Sequence, residues 1–155
     1  MTPESVWDYP RPPRVEACAR RAAVEFGDEV IAESERALRV LETSQAPAIY
    51  FPPEDVRMDL LEAVDKRTFC EWKGVASYYD IVFGDRRSEA AAWSYPEPVE
   101  TYEELRGQVA FYPQRVDRCV LGEHVVEPNG GDFYGGWITP DVEGPFKGVP
   151  GSASW

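Results

Sequence analysis

The 155-residue chain has few of the residues that build metal sites and disulfide frameworks. It contains three cysteines, Cys18, Cys70 and Cys119, and one histidine, His124. The cysteine count is odd and no C-x-x-C pair occurs, so neither a disulfide framework nor a cysteine-built zinc site is expected. We therefore predict no metal and no cofactor, and a reducing, cytoplasmic location.

The sequence also lacks long apolar runs and an excess of basic residues. No stretch of about 18 apolar residues occurs, so no transmembrane helix is predicted. The first residues show neither the basic flank nor the apolar stretch of a secretory signal. With 28 acidic and 16 basic residues, the net charge is −12. Because this charge repels phosphate backbones and anionic lipids, we expect no nucleic-acid partner and no membrane partner.

Aromatic side chains, in contrast, are abundant. They make up 13% of the chain and include five Trp and eight Tyr. These side chains bury large areas and carry one polar group each, so they suit a core and a binding site equally well. The length is typical of a single domain, and the composition is apolar enough for that domain to have a sizeable core.

Three turns of similar chemistry predict the fold class. Gly27-Asp28, Gly84-Asp85 and Gly122-Glu123 each separate two runs rich in strand-forming residues. This pattern favours an antiparallel meander or small open barrel. Bulky residues alternate on both faces of 75–83, which predicts a central strand. Further short strands are expected at 37–41, 49–51 and 108–112.

Two short helices are predicted beside these strands. The first spans about residues 53–63, because Val56, Leu60 and Val64 recur at helical spacing. The second spans 101–107, where a capping box precedes a glycine.

The chain divides by composition into three parts. Residues 1–21 form a proline-containing N-terminal arm, 22–127 a single β domain, and 128–155 a C-terminal extension. The extension contains seven glycines, four prolines and five aromatic residues. Because these aromatic side chains are costly to leave in water, we expect most of the extension to pack on the domain.

Two short patterns recur along the chain. Tyr50-Phe-Pro followed by Val56 is echoed by Phe111-Tyr-Pro followed by Val116, and Trp72-Lys-Gly-Val is echoed by Phe146-Lys-Gly-Val. A decayed duplication and a chance recurrence of turn motifs both explain these echoes.

Five sequence blocks carry a resemblance to a known family. They read Ile31-Ala-Glu-Ser, Tyr50-Phe-Pro-Pro-Glu-Asp-Val-Arg-Met, Thr68-Phe-Cys-Glu-Trp-Lys-Gly-Val-Ala-Ser-Tyr, Ala92-Trp-Ser-Tyr-Pro-Glu-Pro and Val109-Ala-Phe-Tyr-Pro. Together they resemble the bacterial "domain of unknown function 427" family. The resemblance implies a small, mainly β fold of the β-tent type, similar to Mss4-like domains. Those relatives hold zinc with paired cysteines, which this chain lacks.

Two departures limit what the resemblance implies about chemistry. The family usually has a proline after the cysteine of its Cys-Pro-aromatic-Lys-Gly block, whereas this chain has Glu71. A nucleotidyltransferase label is also attached to the family. The sequence contains no Gly-Ser motif with paired aspartates and no phosphate-cradling glycine loop, so it does not support that label.

The leading functional hypothesis is an aromatic pocket that binds a small organic ligand bearing a carboxylate or carbonyl group. Lys73 lies between Trp72 and Gly74, where it can present a cation beside an aromatic face. The alternative is an ion pair of Lys73 with Glu54 or Asp55, with the lysine stem along apolar surface. The predicted ligand-binding residues are Tyr50, Arg57, Trp72, Lys73, Tyr78, Trp93 and Tyr95.

Two other functions stay open. A cofactor-independent hydrolase or isomerase would use Glu54 or Asp55 as the base and Lys73 or Arg57 beside a developing oxyanion, so that Asp55 and Lys73 are the candidate catalytic residues. Cys70 is either a nucleophile or an inert buried thiol. An interaction module or homodimer would use the glycine-rich extension. The pocket hypotheses assume that Trp72, Lys73 and the short acidic helix that begins at Glu54 and Asp55 converge on one hollow.

Overall fold

The computed structural model describes residues 3–129, 133–148, 151–152 and 154–155. Its strands are β1 (Glu4–Ser5), β2 (Arg14–Ala17), β3 (Ala22–Phe26), β4 (Glu29–Ser34), β5 (Leu38–Leu41), β6 (Ala48–Phe51), β7 (Leu61–Cys70), β8 (Gly74–Phe83), β9 (Arg86–Ser94), β10 (Val109–Phe111), β11 (Arg118–Leu121), β12 (His124–Val125), β13 (Glu127–Pro128), β14 (Trp137–Ile138) and β15 (Val142–Glu143). Short 3-10 helices occupy Val6–Asp8, Pro53–Asp55, Met58–Leu60, Glu100–Leu105 and Pro113–Arg115. None of these described helices has the length and apolar character needed to cross a membrane.

Two sheets form the domain. A large seven-stranded sheet has the order β2-β5-β6-β10-β9-β8-β7, and a small four-stranded sheet has the order β12-β11-β3-β4. Every neighbouring pair in the large sheet is antiparallel. The mainly β, antiparallel architecture predicted from the sequence is confirmed. Across the described residues the large sheet does not close into a barrel, which agrees with an open β-tent.

The predicted glycine turns connect the hairpins. Gly27 and Asp28 both have a positive φ, 63° and 65°, and join β3 to β4. This pair of left-handed residues matches the twist of the flanking strands, and glycine adopts it without a Cβ penalty. In the turns from β8 to β9 and from β11 to β12 the glycine alone is left-handed, Gly84 at 59° and Gly122 at 60°.

The predicted helix over residues 53–63 is wrong. Two separate 3-10 turns occupy its first part, and strand β7 begins at Leu61. Val56 lies between the turns and forms an isolated antiparallel bridge with Ala32 of β4. Pairing with the small sheet therefore overrides the helical spacing of the apolar residues.

The second predicted helix occurs as the 3-10 helix Glu100–Leu105. Its N-cap is Val99, which makes no side-chain capping hydrogen bond, so the predicted capping box at Thr101 does not form. Gly107 follows the helix with a φ of 71°.

Alternation along the strands separates two clusters of side chains. On β8 and β6, Ile81 and Phe51 join the main core, whereas Tyr78 and Tyr50 join a second cluster. Both sheets contribute to the main core, so the second cluster lies on the face of the large sheet turned away from the small sheet. The alternation predicted for 75–83 is confirmed.

The predicted arm and extension both contribute described structure. β2, from the arm, is an edge strand of the large sheet, and β1 pairs in parallel with β15. From the extension, Trp137 is 1% exposed in the main core and its indole Nε1 donates to the Phe111 carbonyl at 3.2 Å. Residues 1 and 2 of the arm, and 130–132, 149, 150 and 153 of the extension, lie outside the described residues. The domain boundaries themselves stay a prediction.

Candidate functional site

A cavity of about 540 Å³ lies over the face of the large sheet that is turned away from the small sheet, here called the outer face. Aromatic side chains of strands β6, β8 and β9, and of the residues that directly follow β9 and β10, form its floor: Tyr50, Tyr78, Trp93, Tyr95 and Tyr112. The side chains above them come from the segment after β5, from the β7–β8 hairpin and from the C-terminal extension.

The strand register aligns several floor residues in one row across the sheet. Tyr50 of β6 lies opposite Ala110, Ala110 lies opposite Trp93, and Trp93 lies opposite Tyr78. Directly opposed residues in a pleated sheet project from the same face, so one row of side chains crosses four strands. Ala110 is the small member of the row, and the hydroxyl of Tyr50 accepts a hydrogen bond of 3.1 Å from Trp93 Nε1 above it. Tyr50 and Trp93 therefore meet across Ala110 and both line the cavity, whereas Ala110 does not.

A β-bulge brings Trp93 into this row. The β8–β9 register shifts between Tyr79 and Ile81, and Ala90 adopts a strained φ of 48° there. The buried carboxylate of Asp80 accepts a hydrogen bond of 2.8 Å from the Ala90 amide, which holds the bulge in place. Asp80 is thus a positioning residue for Trp93.

Lys73 is the buried cation of the site. Its side chain is 9% exposed, and Nζ lies 3.9 Å from Glu42 Oε1, beyond hydrogen-bonding distance. The ammonium also lies 5.8 Å from the ring centroid of Tyr95. The predicted ion pair of Lys73 with Glu54 or Asp55 is wrong, because Lys73 faces Glu42 whereas Glu54 and Asp55 pair with Arg36.

The hydroxyls of Tyr50, Tyr95 and Tyr112 remain protonated over the physiological range. Burial raises the pKa of Tyr50, Tyr95 and Tyr112 well above the ordinary value for tyrosine. The Tyr78 hydroxyl lies 2.8 Å from Thr68 Oγ1, and either atom can donate. The floor therefore offers protonated phenols that can donate hydrogen bonds to an acceptor.

The C-terminal extension forms one wall. A Cβ on Gly135 would lie 2.4 Å from the Trp93 ring, and one on Gly136 would lie 2.4 Å from the Ala46 carbonyl oxygen. Any larger residue at either position must displace its neighbour. Phe133, which is 63% exposed, lies at the mouth of the cavity.

A second lysine reaches the cavity from the same extension. Lys147 Nζ donates to the Trp155 carbonyl oxygen at 3.2 Å and lies 5.5 Å from the ring centroid of Tyr134. The Lys147 amide donates to the Ser44 carbonyl at 2.6 Å, which ties this wall to the segment that carries Glu42.

The structure brings six of the predicted ligand-binding residues together. The residues that line the cavity are Tyr50, Trp72, Lys73, Tyr78, Trp93 and Tyr95. Arg57, the seventh, lies elsewhere, so the expectation of one hollow shared by all seven is wrong.

Asp55 and Arg57 lie beside strand β4 of the small sheet. The Asp55 carboxylate accepts hydrogen bonds from Arg36 and Ser34, which lower its pKa below the ordinary value. Arg57 pairs with two surface carboxylates. Since neither side chain lines the cavity, the predicted catalytic combination of Asp55 with Lys73 is not assembled.

Sequence reasoning missed several residues of the site. Glu42, Tyr112 and Lys147 line the cavity but were not predicted. The sequence echoes contained a signal for two of them, since Tyr112 repeats the context of Tyr50 and Lys147 repeats that of Lys73. Nothing in the local sequence marks Glu42.

The cysteines and the histidine show no shared site. Cys70 lines the cavity as a half-buried free thiol. Cys119 is buried on the other side of the large sheet, and burial raises its pKa. His124 is exposed on β12. In the described ranges, no three His, Cys, Asp or Glu side chains cluster as metal ligands.

Comparison with known proteins agrees with the resemblance seen in the motifs. No curated protein matches the sequence. Residues 14–122 match a family described as a domain of unknown function, DUF427. The match runs from β2 to the turn after β11, covers more than half of the chain, and excludes the wall formed by the extension. The chain therefore belongs to the DUF427 family.

Proposed function

We propose that this domain binds a small aromatic carboxylate, or a carbonyl compound of similar shape, in the cavity over the large sheet. The buried ammonium of Lys73 carries the proposal. Its paired carboxylate, on Glu42, lies 3.9 Å away, whereas a buried charge is normally offset by a close hydrogen-bonded partner. A carboxylate or carbonyl oxygen of a ligand would supply that partner.

The size and lining of the cavity suit a planar ligand. Its volume of about 540 Å³ falls within the roughly 300–1,000 Å³ range of small-molecule pockets. Tyrosine and tryptophan rings provide flat apolar surface, and their polar groups fix orientation. An aromatic ring would lie on the floor while its acidic group faces Lys73.

The lysine and the aromatic side chains of the cavity support ligand binding more directly than catalysis. The carboxylate predicted as a general base, Asp55, lies outside the cavity and is paired with Arg36. The three cysteines are free thiols, which supports a location in the reducing cytoplasm.

Thermal denaturation with a charged and a neutral probe tests the proposal. Benzoate carries the carboxylate, and benzamide has the same ring without the charge. Lys73→Met removes the buried ammonium with little change in length. Lys66→Met is the matched control, because Lys66 also lies over a tyrosine ring, at 4.8 Å from that of Tyr78, but is exposed on β7 outside the cavity.

Benzoate should raise the melting temperature with concentration and change the tryptophan fluorescence of the wild type and of Lys66→Met. Its affinity should fall about tenfold or more in Lys73→Met, since a charge-assisted hydrogen bond is lost. Benzamide should bind more weakly than benzoate. Equal benzoate affinity in the wild type and in Lys73→Met would refute the proposal, as would the absence of binding by both probes.

A further inference from the structure

Two of the three lysines in the chain line one cavity, although the net charge is −12. Lys73 approaches from the β7–β8 hairpin, and Lys147 approaches from the C-terminal extension. Both contact the same short segment, Lys73 through the Glu42 carboxylate and Lys147 through the Ser44 carbonyl. Two cations thus line one cavity, together with the carboxylates of Glu42 and Glu71.

The two lysines have similar surroundings. Each ammonium lies over a tyrosine ring, Lys73 over Tyr95 at 5.8 Å and Lys147 over Tyr134 at 5.5 Å. Each follows an aromatic residue and precedes a glycine, in Trp72-Lys-Gly and Phe146-Lys-Gly. The sequence echo therefore corresponds to a repeated arrangement of aromatic ring and ammonium at the site.

The second lysine is held in position by its own backbone. The Lys147 carbonyl accepts a hydrogen bond of 2.7 Å from Asn129 Nδ2, and the next amide, of Gly148, donates to Ser152 Oγ at 2.8 Å. Of the three N–H donors of the ammonium, the described residues take one, through the Trp155 carbonyl. Lys147, which lines the cavity, thus has N–H donors left for a ligand.

We infer that the ligand carries two acidic groups, one bound by Lys73 and the other by Lys147, with its ring on the tyrosine floor. This inference rests on the proposed function and narrows it to dicarboxylates and related dianions. Because Lys147 lies beyond residue 122, the second contact belongs to the extension and not to the family-matched domain. The extension would then determine the selection of dianions over monoanions.

Calorimetric titration of the full chain with benzoate and the three benzenedicarboxylate isomers tests the inference. The isomers hold two carboxylates at three different spacings on one ring. The variants are Lys147→Met, Lys147→Arg as the charge-conserving replacement, and Lys66→Met as the control outside the cavity. At least one isomer should bind the wild type about tenfold more tightly than benzoate, with a steeper dependence on salt.

Lys147→Met should remove this advantage by weakening the isomer at least about tenfold while weakening benzoate by much less, whereas Lys147→Arg and Lys66→Met should keep most of the advantage. If benzoate binds and no isomer binds more tightly, or if the advantage persists in Lys147→Met, the inference is wrong while the proposed function stands. If neither benzoate nor any isomer binds, the proposed function fails and the inference fails with it.

Discussion

The two faces of the large sheet are made by the same strands and differ in chemistry. The inner face, against the small sheet, carries aliphatic and phenylalanine side chains such as Ile49, Phe51 and Phe111. The outer face carries tyrosine and tryptophan, among them Tyr50 and Trp93. Because successive residues of a strand point to opposite faces, a strand such as β6 supplies side chains both to the main core and to the candidate site.

The covering of each face explains why only one of them has the cavity. A second sheet covers the inner face, and regular strands pack side chains closely. An irregular segment covers the outer face, with Gly135 and Gly136 in contact with Trp93 and Ala46. The Tyr50 and Trp93 rings meet across Ala110, with centroids 6.0 Å apart. The cavity thus lies where an irregular segment, and not a second sheet, covers the aromatic face.

Among substitutions that distinguish the two faces, Phe51→Ala on the inner face should change the free energy of unfolding most. Phe51 is fully buried, with ring centroids 5.8 Å from Phe111 and 6.0 Å from Trp137. Its truncation should lower the free energy of unfolding by about 3–5 kcal/mol. Urea denaturation measures the change, and Val30→Ala, at a position 45% exposed, should cost no more than about 0.5 kcal/mol. Similar costs for both variants would contradict the assignment of Phe51 to the main core.

Sequence could predict those parts of the fold that depend on near neighbours. Glycine turns such as Gly27-Asp28 are local, because φ at two residues decides the hairpin. The alternation around Tyr78 is also local, so the division of the strand between two faces was predictable. Six residues of the cavity could also be grouped, because they stand in the blocks that carry the family resemblance.

The remaining features depend on contacts between distant segments. The helical spacing after Pro53 was misleading because Val56 bridges β4 in the small sheet. Asp55 was misplaced because its partner, Arg36, lies on a different segment. The wall at Gly135 and the pairing of Lys73 with Glu42 both join residues more than 30 positions apart. A single sequence carries no local signal for such pairings.

An intermediate effect is expected where the extension meets the outer face. Gly135→Ala places a Cβ 2.4 Å from the Trp93 ring, and overpacking of this kind costs about 1–3 kcal/mol. The displaced indole should also change its fluorescence, which reports on the outer face directly. Gly84→Ala serves as the control, because a Cβ there meets nothing within 4 Å and only the positive φ is penalised, by about 1 kcal/mol. Unchanged stability and fluorescence in Gly135→Ala would show that the extension does not press on Trp93.

The smallest effect, and the one most specific to the outer face, is the pH dependence of Tyr50→Phe. At neutral pH the variant should lose about 0.5–1.5 kcal/mol, because Trp93 Nε1 loses its acceptor. Burial raises the pKa of Tyr50 in the folded protein, whereas the unfolded chain ionises it near pH 10. The folded state then binds more protons than the unfolded state above pH 10, so the contribution of Tyr50 is complete below that pH and is lost as the pH rises.

The deficit of Tyr50→Phe relative to the wild type should therefore shrink as the pH is raised from 9 toward 11, since the variant has no phenol to ionise at this position. Trp93→Phe removes the donor of the same hydrogen bond but keeps Tyr50, so its deficit should stay constant over this range. Urea midpoints measured in parallel for the three proteins give both differences, and Tyr95 and Tyr112 cancel because all three proteins retain them. Parallel curves for the two variants would mean that Tyr50 ionises alike in the folded and unfolded states. The outer face would then be open to water, and the contrast with the inner face would be one of packing alone.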